Sequence, residues 1–307
     1  MGAQLDGDVR AVLDVLAVPV RRVEPVGDGH GTVHNANWHV WPTRGPRCVL
    51  RRYHVRASAD ELAYEHAVIR HLAQAGWTVP VPVSDPVRWA GRWFCLTAFV
   101  PGRARPHETS AQRRQRGADL ARLQLALRPL GEGLGQRPRW RAQHQGTTVH
   151  TDIDWSLVLA AVADEAPRLA GWAEAAADAS SAELHAIGAE RLPSTIVHGD
   201  FHEANVHYDG DRLAGVIDFG LSHLDTRPYE LAIARTYRAP EARDAYRGEL
   251  VRVGWPLSEL EEAAIGPVYR AFRVDMVAWQ LAEGTRTGRF DTEAIVRQLA
   301  RTGVAPP

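Results

Sequence analysis

The chain contains no lysine, so all 36 of its basic residues are arginines. That excludes a lysine Schiff base, and it excludes a Walker A loop, whose lysine reaches the phosphates. Cysteine is scarce as well. Cys48 and Cys95 stand in unrelated contexts without any CxxC, which argues against a disulfide scaffold or a thiolate zinc site and for two reduced thiols. No apolar run approaches the roughly 18 residues that a membrane span needs. The N-terminal stretch MGAQLDGDVRAVLDVLAV is acidic and lacks the basic-then-apolar order of a signal peptide. Neither charge is in excess: 36 basic against 37 acidic residues gives −1, so no net field draws in nucleic acid or an anionic membrane. The expectation is a cytoplasmic monomer or homodimer whose partners are neither nucleic acid nor membrane.

What is present suits a soluble globular protein. The 307 residues, 45% hydrophobic and 24% charged, suffice for about two domains or one two-lobed unit. Residues 8–17 read as a short amphipathic helix, and 20–55 as β structure interrupted by the turn-rich Gly27-Asp28-Gly29-His30-Gly31. Ser58 to Ala75 is the clearest helix, with Ser58 and Glu61 as a capping box and Gly76 at its end. Strands are expected at 87–90 and 92–98. Beyond 103 the pattern is helical, at 109–128, 154–188 (broken near Pro167 and Gly171), 241–253, 257–283 and 291–302. The arginine-rich 113–122 reads as a solvated helix face. The exception is β-like: TIVHGD at 195–200, then NVHY and RLAGVIDF around the hairpin signal Asp209-Gly210.

Chemistry concentrates in HGDFHEANVHYDGDRLAGVIDFG, residues 198–220. Asn205 enters one strand of the expected hairpin, Asp218 leaves the other, and Asp200 precedes Asn205 by five residues. Three side-chain oxygens should therefore converge at the hairpin base. Such hard ligands suit Mg²⁺, and an aspartate beside it can take a proton from an attacking hydroxyl. A second reading takes His198, Asp200, His202 and His207 as a metallohydrolase cluster, but it leaves Asn205 and Asp218 without a role. In the helix at 58–75, Leu62, Ile69 and Leu72 define an apolar stripe on which Glu65 falls. A buried carboxylate needs a cation, and CVLRRYH offers Arg51 and Arg52 on opposite strand faces.

This block resembles the catalytic and metal-binding loops of the aminoglycoside phosphotransferase and homoserine kinase group, small-molecule relatives of the protein kinases. His198-Gly199-Asp200, four residues, Asn205 and then Asp218-Phe219-Gly220 follow the family's order. The resemblance covers about 29–102 and 195–232. It implies an α+β fold of two lobes: an antiparallel sheet plus helix at 1–97, a hinge at 98–102 and a mostly helical lobe at 103–307. It implies ATP with Mg²⁺ on Asn205 and Asp218, Asp200 as catalytic base, and Arg51 in the place of the phosphate-binding lysine, paired with Glu65. Gly29, Gly31 and Asn35 match the loop over the phosphates, and the backbone of Ala98 and Val100 matches the adenine-binding hinge. Trp140, Trp155, Tyr269 and Trp279 are candidate walls for a small hydroxylated acceptor.

The sequence leans towards an antibiotic or specialised metabolite as that acceptor. A polycation would need acidic lining, with Asp152, Asp154, Asp225, Glu230 and Asp275 as candidates. Homoserine or a similar metabolite is the alternative, and a nucleotide-binding pseudokinase is the rival from another class.

Overall fold

The computed structural model describes residues 7–27, 35–164, 166–234 and 239–306, with the side chain of Glu132 left out. The expected phosphate-loop glycines Gly29 and Gly31 lie outside the described residues. In chain order the first elements are α1 (Gly7–Val15), β1 (Val20–Pro25), β2 (Ala36–Pro42), β3 (Cys48–Arg52), α2 (Ala59–Gln74), β4 (Val87–Trp89) and β5 (Arg92–Ala98). There follow α3 (Ser110–Leu127), α4 (Gly131–Leu134), α5 (Trp155–Ala163), α6 (Pro167–Ala186), β6 (Ser194–Val197), β7 (Val206–Asp209) and β8 (Arg212–Val216). The chain finishes with β9 (His223–Thr226), α7 (Arg227–Ile233), α8 (Pro240–Arg252), α9 (Glu259–Thr287) and α10 (Thr292–Leu299). Two compact units result, Met1–Arg103 with His207–Asp218, and Ala104–Val206 with Phe219–Pro307.

The first unit is built on an antiparallel sheet in the order β1-β2-β3-β5-β4. Alternation along β2 turns Ala36, Trp38 and Val40 into a core shared with Val9, Val12 and Leu13 of α1 and Leu50, Phe94 and Leu96 of the neighbouring strands. The opposite face therefore carries Asn37, His39 and Trp41. Pairing of Asn37 with Arg51, and of Val49 with Thr97, carries that face across β3 and β5. The α2 helix starts where its capping box places it: Ser58 Oγ accepts from the Glu61 amide at 3.3 Å and Glu61 Oε2 accepts from the Ser58 amide at 2.9 Å. The β7–β8 hairpin turns at Gly210, whose φ of +57° suits a two-residue turn. It belongs to this unit although the sequence division at 98–102 leaves it with the helical part. The Val216 amide donates to the Thr78 carbonyl at 3.1 Å, and a Cβ at Gly215 would come within 2.6 Å of that same oxygen.

In the second unit α3 lies close against α8, because Gly117 has no side chain: a Cβ there would come within 1.9 Å of the Ala242 carbonyl oxygen. This packing corrects the solvated-face reading of 113–122. Arg116 and Asp119 are 2% exposed, and Arg116 forms a 3.0 Å pair with Glu108, whose side chain is 5% exposed. A second apolar cluster joins α5, α6, α9 and α10 through Val158, Trp172, Val277, Leu281, Ile295 and Leu299. A third gathers Trp140, Val197, Tyr229, Val268 and Phe272 around α7 and α9. On this support sits the two-stranded β6–β9 ribbon, with Val197 opposite His223. β6 runs directly into the loop 198–205.

Candidate active site

Arg51 leaves β3 on the face opposite the α1 core and is 8% exposed. Its guanidinium meets two carboxylates of its own unit: Glu65 of α2 at 3.5 Å and Asp218, just after β8, at 2.9 Å. Glu65 is 1% exposed, so this cation is what makes its burial tolerable. A planar fork can address two carboxylates at once, which suits a chain without lysine. Arg52, on the other strand face, is half-buried and stacks over Trp38 at 5.4 Å. Asp218 adopts φ of +63°, a left-handed conformation uncommon for a residue with a side chain, and that side chain stays 42% exposed. Asn35 is tied to the end of β3, its Oδ1 accepting from the His54 amide at 3.0 Å. At Ala98 the amide donates to the Val81 carbonyl at 2.7 Å, and Val100 is buried.

In the second unit the loop after β6 is held by main-chain hydrogen bonds. Asn205, 8% exposed, donates its amide hydrogens to Asp200, to the carbonyl at 2.9 Å and to Oδ2 at 2.8 Å. That fixes which way the amide faces and turns its Oδ1 away from Asp200. Asp200 Oδ1 has His202 Nε2 at 3.3 Å, and its side chain is 27% exposed. His198 is fully buried between Phe201 and Phe219, and its Nδ1 accepts from the Asp200 amide at 3.1 Å. It is a brace for the loop. Gly199 takes φ of +79°, and a Cβ there would meet the Leu221 carbonyl oxygen at 2.2 Å. The Ser222 hydroxyl donates to the His198 carbonyl at 3.1 Å.

Sequence reasoning places Glu230 in an acidic acceptor lining; the structure corrects this. Glu230 is fully buried and accepts from the main-chain amides of His198 and Gly199. Burial pushes its carboxyl up to about 8, against the two amides, which favour the charged form. Asp225 is likewise buried, accepting from the Gln143 amide at 2.7 Å, with His223 Nε2 at 3.1 Å. Asp275 takes the Thr148 hydroxyl at 2.6 Å and the Val149 amide at 2.9 Å, and burial raises it to about 6. Asp154 caps α5, and Asp152 pairs with Arg139 at 3.3 Å. Trp140 and Tyr269 are core residues and not open walls, while Trp155 and Trp279 are only partly buried. Glu230 stands ten residues after Gly220 in a buried helical run. No local pattern betrays that it receives the Asp200 loop.

Asp218 carries a carboxylate and Asn205 an amide oxygen, each a donor type that suits a hard divalent cation. Among the described residues no group of three or more His, Cys, Asp or Glu side chains is arranged to hold a metal, which leaves the histidine cluster reading without support. No helix among them is long and apolar enough to cross a membrane. Both cysteines are buried and unbridged.

Solved structures similar to this chain in fold include small-molecule kinases. An amicoumacin kinase solved with AMP-PNP and Ca²⁺ superposes with a TM-score of 0.70 at 14% identity, covering 97% of this chain and 93% of that one. Spectinomycin phosphotransferase gives 0.62 at 11%, covering 98% and 94%. The class is therefore the protein-kinase-like phosphotransferase fold, an α+β architecture of antiparallel sheet and many helices. Residues 24–262 match the model of the phosphotransferase enzyme family, and the chain belongs to it. It is an ATP-dependent kinase of small molecules. Among curated relatives, the homoserine kinase of Xanthobacter autotrophicus is 28% identical over 265 residues, 80% of this chain and 78% of that protein. The homoserine kinase of Granulibacter bethesdensis is 30% identical over 249 residues, covering 76% and 73%.

Proposed function

We propose that the protein transfers the γ-phosphoryl group of ATP to the hydroxyl of a small amino-acid-type alcohol, with Asp200 as general base. The observation that carries this reading is the Asp200–Asn205 pair. Asn205 spends its amide hydrogens on Asp200, leaving an amide oxygen for a cation, and Asp200 keeps a partly exposed carboxylate. Asn205 and Asp218 would hold Mg²⁺, which would supply positive charge to neutralise the phosphates. Arg51 pairs with the phosphates as well as with Glu65, Asn35 braces the end of β3, and Gly29 and Gly31 are assigned to the phosphate loop. The carbonyl of Ala98 and the amide of Val100 receive the adenine. Asp200 orients the acceptor hydroxyl and takes its proton as the oxygen attacks phosphorus. Little covalent work is left to the protein, so positioning supplies most of the rate.

For the acceptor, two observations favour a homoserine-like molecule over a polycationic antibiotic. The homoserine kinases share 28–30% identity over three quarters or more of this chain, and Asp225, Glu230 and Asp275 are engaged inside the fold. Incubation with Mg-ATP and either L-homoserine or an aminoglycoside panel, followed by ³¹P NMR, tests it. A phosphate monoester on homoserine is expected; turnover of aminoglycosides alone overturns the acceptor, and ATP binding with no turnover of any alcohol favours the pseudokinase.

A further inference from the structure

The segment that follows Asp218 is gripped from one side by a loop that the reaction scheme does not use. Arg137, 5% exposed, lies just after α4 and sends Nη1 to two main-chain carbonyls, Gly220 at 2.8 Å and Ser222 at 3.0 Å. Its neighbour Gln136 pairs with Leu224 as a strand would: Nε2 donates to the Leu224 carbonyl at 2.8 Å, and Oε1 accepts from the Leu224 amide at 3.1 Å. The guanidinium stacks over Trp140 at 4.9 Å, and Trp140 in turn packs on His223 at 4.9 Å. Between them the chain turns through Arg139 at φ +64°, a conformation kept only where the surroundings impose it. Four contacts thus read the backbone from Gly220 to Leu224.

Two carbonyl oxygens two residues apart, aimed at one point, repel each other unless a donor sits between them. A cation is the strongest such donor, since charge-assisted hydrogen bonds are about twice as strong as neutral ones. Arg137 therefore stabilises the bend at 220–222. Asp218 lies two residues upstream of Gly220 in the chain, with its backbone at φ +63°. The same segment touches the Asp200 loop through the Ser222 hydroxyl and the Gly199–Leu221 approach.

We propose that Arg137 is a positioning residue for the metal-binding segment: by clamping the carbonyls of Gly220 and Ser222 it sets the conformation in which Asp218 offers its carboxylate to Mg²⁺. This rests on the metal role given to Asp218 above. It differs from a generic stabilising role in that the defect should appear in metal dependence and local order before it appears in the fold as a whole.

Binding of a fluorescent ATP analogue is titrated with Mg²⁺ for the wild type, Arg137→Met and Arg137→Lys, and amide hydrogen exchange is followed across 219–224. Arg273→Met is the control, an arginine stacked on Tyr269 and Phe272 in the same unit. Arg137→Met should need about tenfold more Mg²⁺ for half-maximal binding, bind the metal-free analogue within twofold of wild type, and exchange faster at 219–224. Arg137→Lys, which keeps a cationic donor, should stay within about threefold, and Arg273→Met should match wild type. Unchanged Mg²⁺ dependence in Arg137→Met overturns the proposal. So does equal loss of metal-free and metal-dependent binding, or failure of both Arg137 variants to fold, since each marks a purely structural role. If the wild type itself shows no Mg²⁺ dependence, the metal assignment of Asp218 has failed instead.

Discussion

Arg51 in the first unit and Asp200 in the second are held in place by different forces. Around Arg51 the hydrogen-bonding and ionic partners are charges: one buried guanidinium reaches Glu65 at 3.5 Å and Asp218 at 2.9 Å, and it lies over the Tyr53 ring at 5.0 Å. Around Asp200 the ties run to main-chain groups: Glu230 receives two amides, Ser222 reaches a carbonyl, and Asn205 straddles carbonyl and carboxylate. A charge-held site should fail when charge is removed and survive a swap that keeps it. A backbone-held site should fail when the backbone is denied its conformation, whatever the charge.

The largest stability effect should come from Arg51→Ala. It strands a carboxylate that is 1% exposed, and breaking a buried pair costs about 3–5 kcal/mol. Urea denaturation should register that loss, together with a raised KM for ATP, whereas Arg51→Lys should recover most of both. Gly199→Ala comes next, because it adds a Cβ 2.2 Å from the Leu221 carbonyl oxygen at a left-handed φ. Together these should cost about 2 kcal/mol or more, with kcat falling further than the change in melting temperature accounts for. An unperturbed Gly199→Ala would mean that the loop can relax and is not backbone-held.

Glu230 gives a smaller, pH-dependent test. Its carboxyl is raised from an ordinary 4.5 to about 8, so between those values the native state binds more protons than the unfolded chain. Stability must then fall as pH rises through that window. Glu230→Gln keeps one acceptor oxygen and cannot ionise, so its deficit against wild type should narrow from pH 5 to pH 8. A deficit that stays flat from pH 5 to pH 8 would mean that the two amides offset desolvation. The smallest effect belongs to Arg52→Ala, which removes a cation on the other face of β3, stacked over Trp38, and should change KM for ATP less than twofold. A crippled Arg52→Ala beside a silent Arg51→Ala would reverse the strand register.

The same contrast explains what the sequence can reveal. The hydrophobic alternation of β2, the capping box of α2 and the spacing from Asp200 to Asn205 are local patterns, legible in the order of residues itself. Glu65 is legible because a carboxylate on an apolar stripe demands a cation. Glu230, Asp225 and Asp275 pass for open acidic lining because carboxylates that accept main-chain amides leave no signature: their donors come from remote, unremarkable positions such as Gly199, Gln143 and Val149. Arg116 passes for a solvated residue for a related reason, since its partner Glu108 lies before the helix, off the face that helical periodicity defines. Arg137 does not stand out in a chain with 36 arginines.

The most direct test is phosphoryl transfer by Asp200→Asn, measured as phosphate monoester formed on L-homoserine with saturating Mg-ATP. The variant keeps the shape of the side chain and an oxygen for Asn205 but loses the base. Its kcat should fall by about 10² to 10⁴, while its melting temperature and its affinity for a non-hydrolysable ATP analogue stay near those of the wild type. Turnover within threefold of wild type, in a variant that folds and binds nucleotide normally, would contradict the assignment of Asp200 as the group that takes the proton.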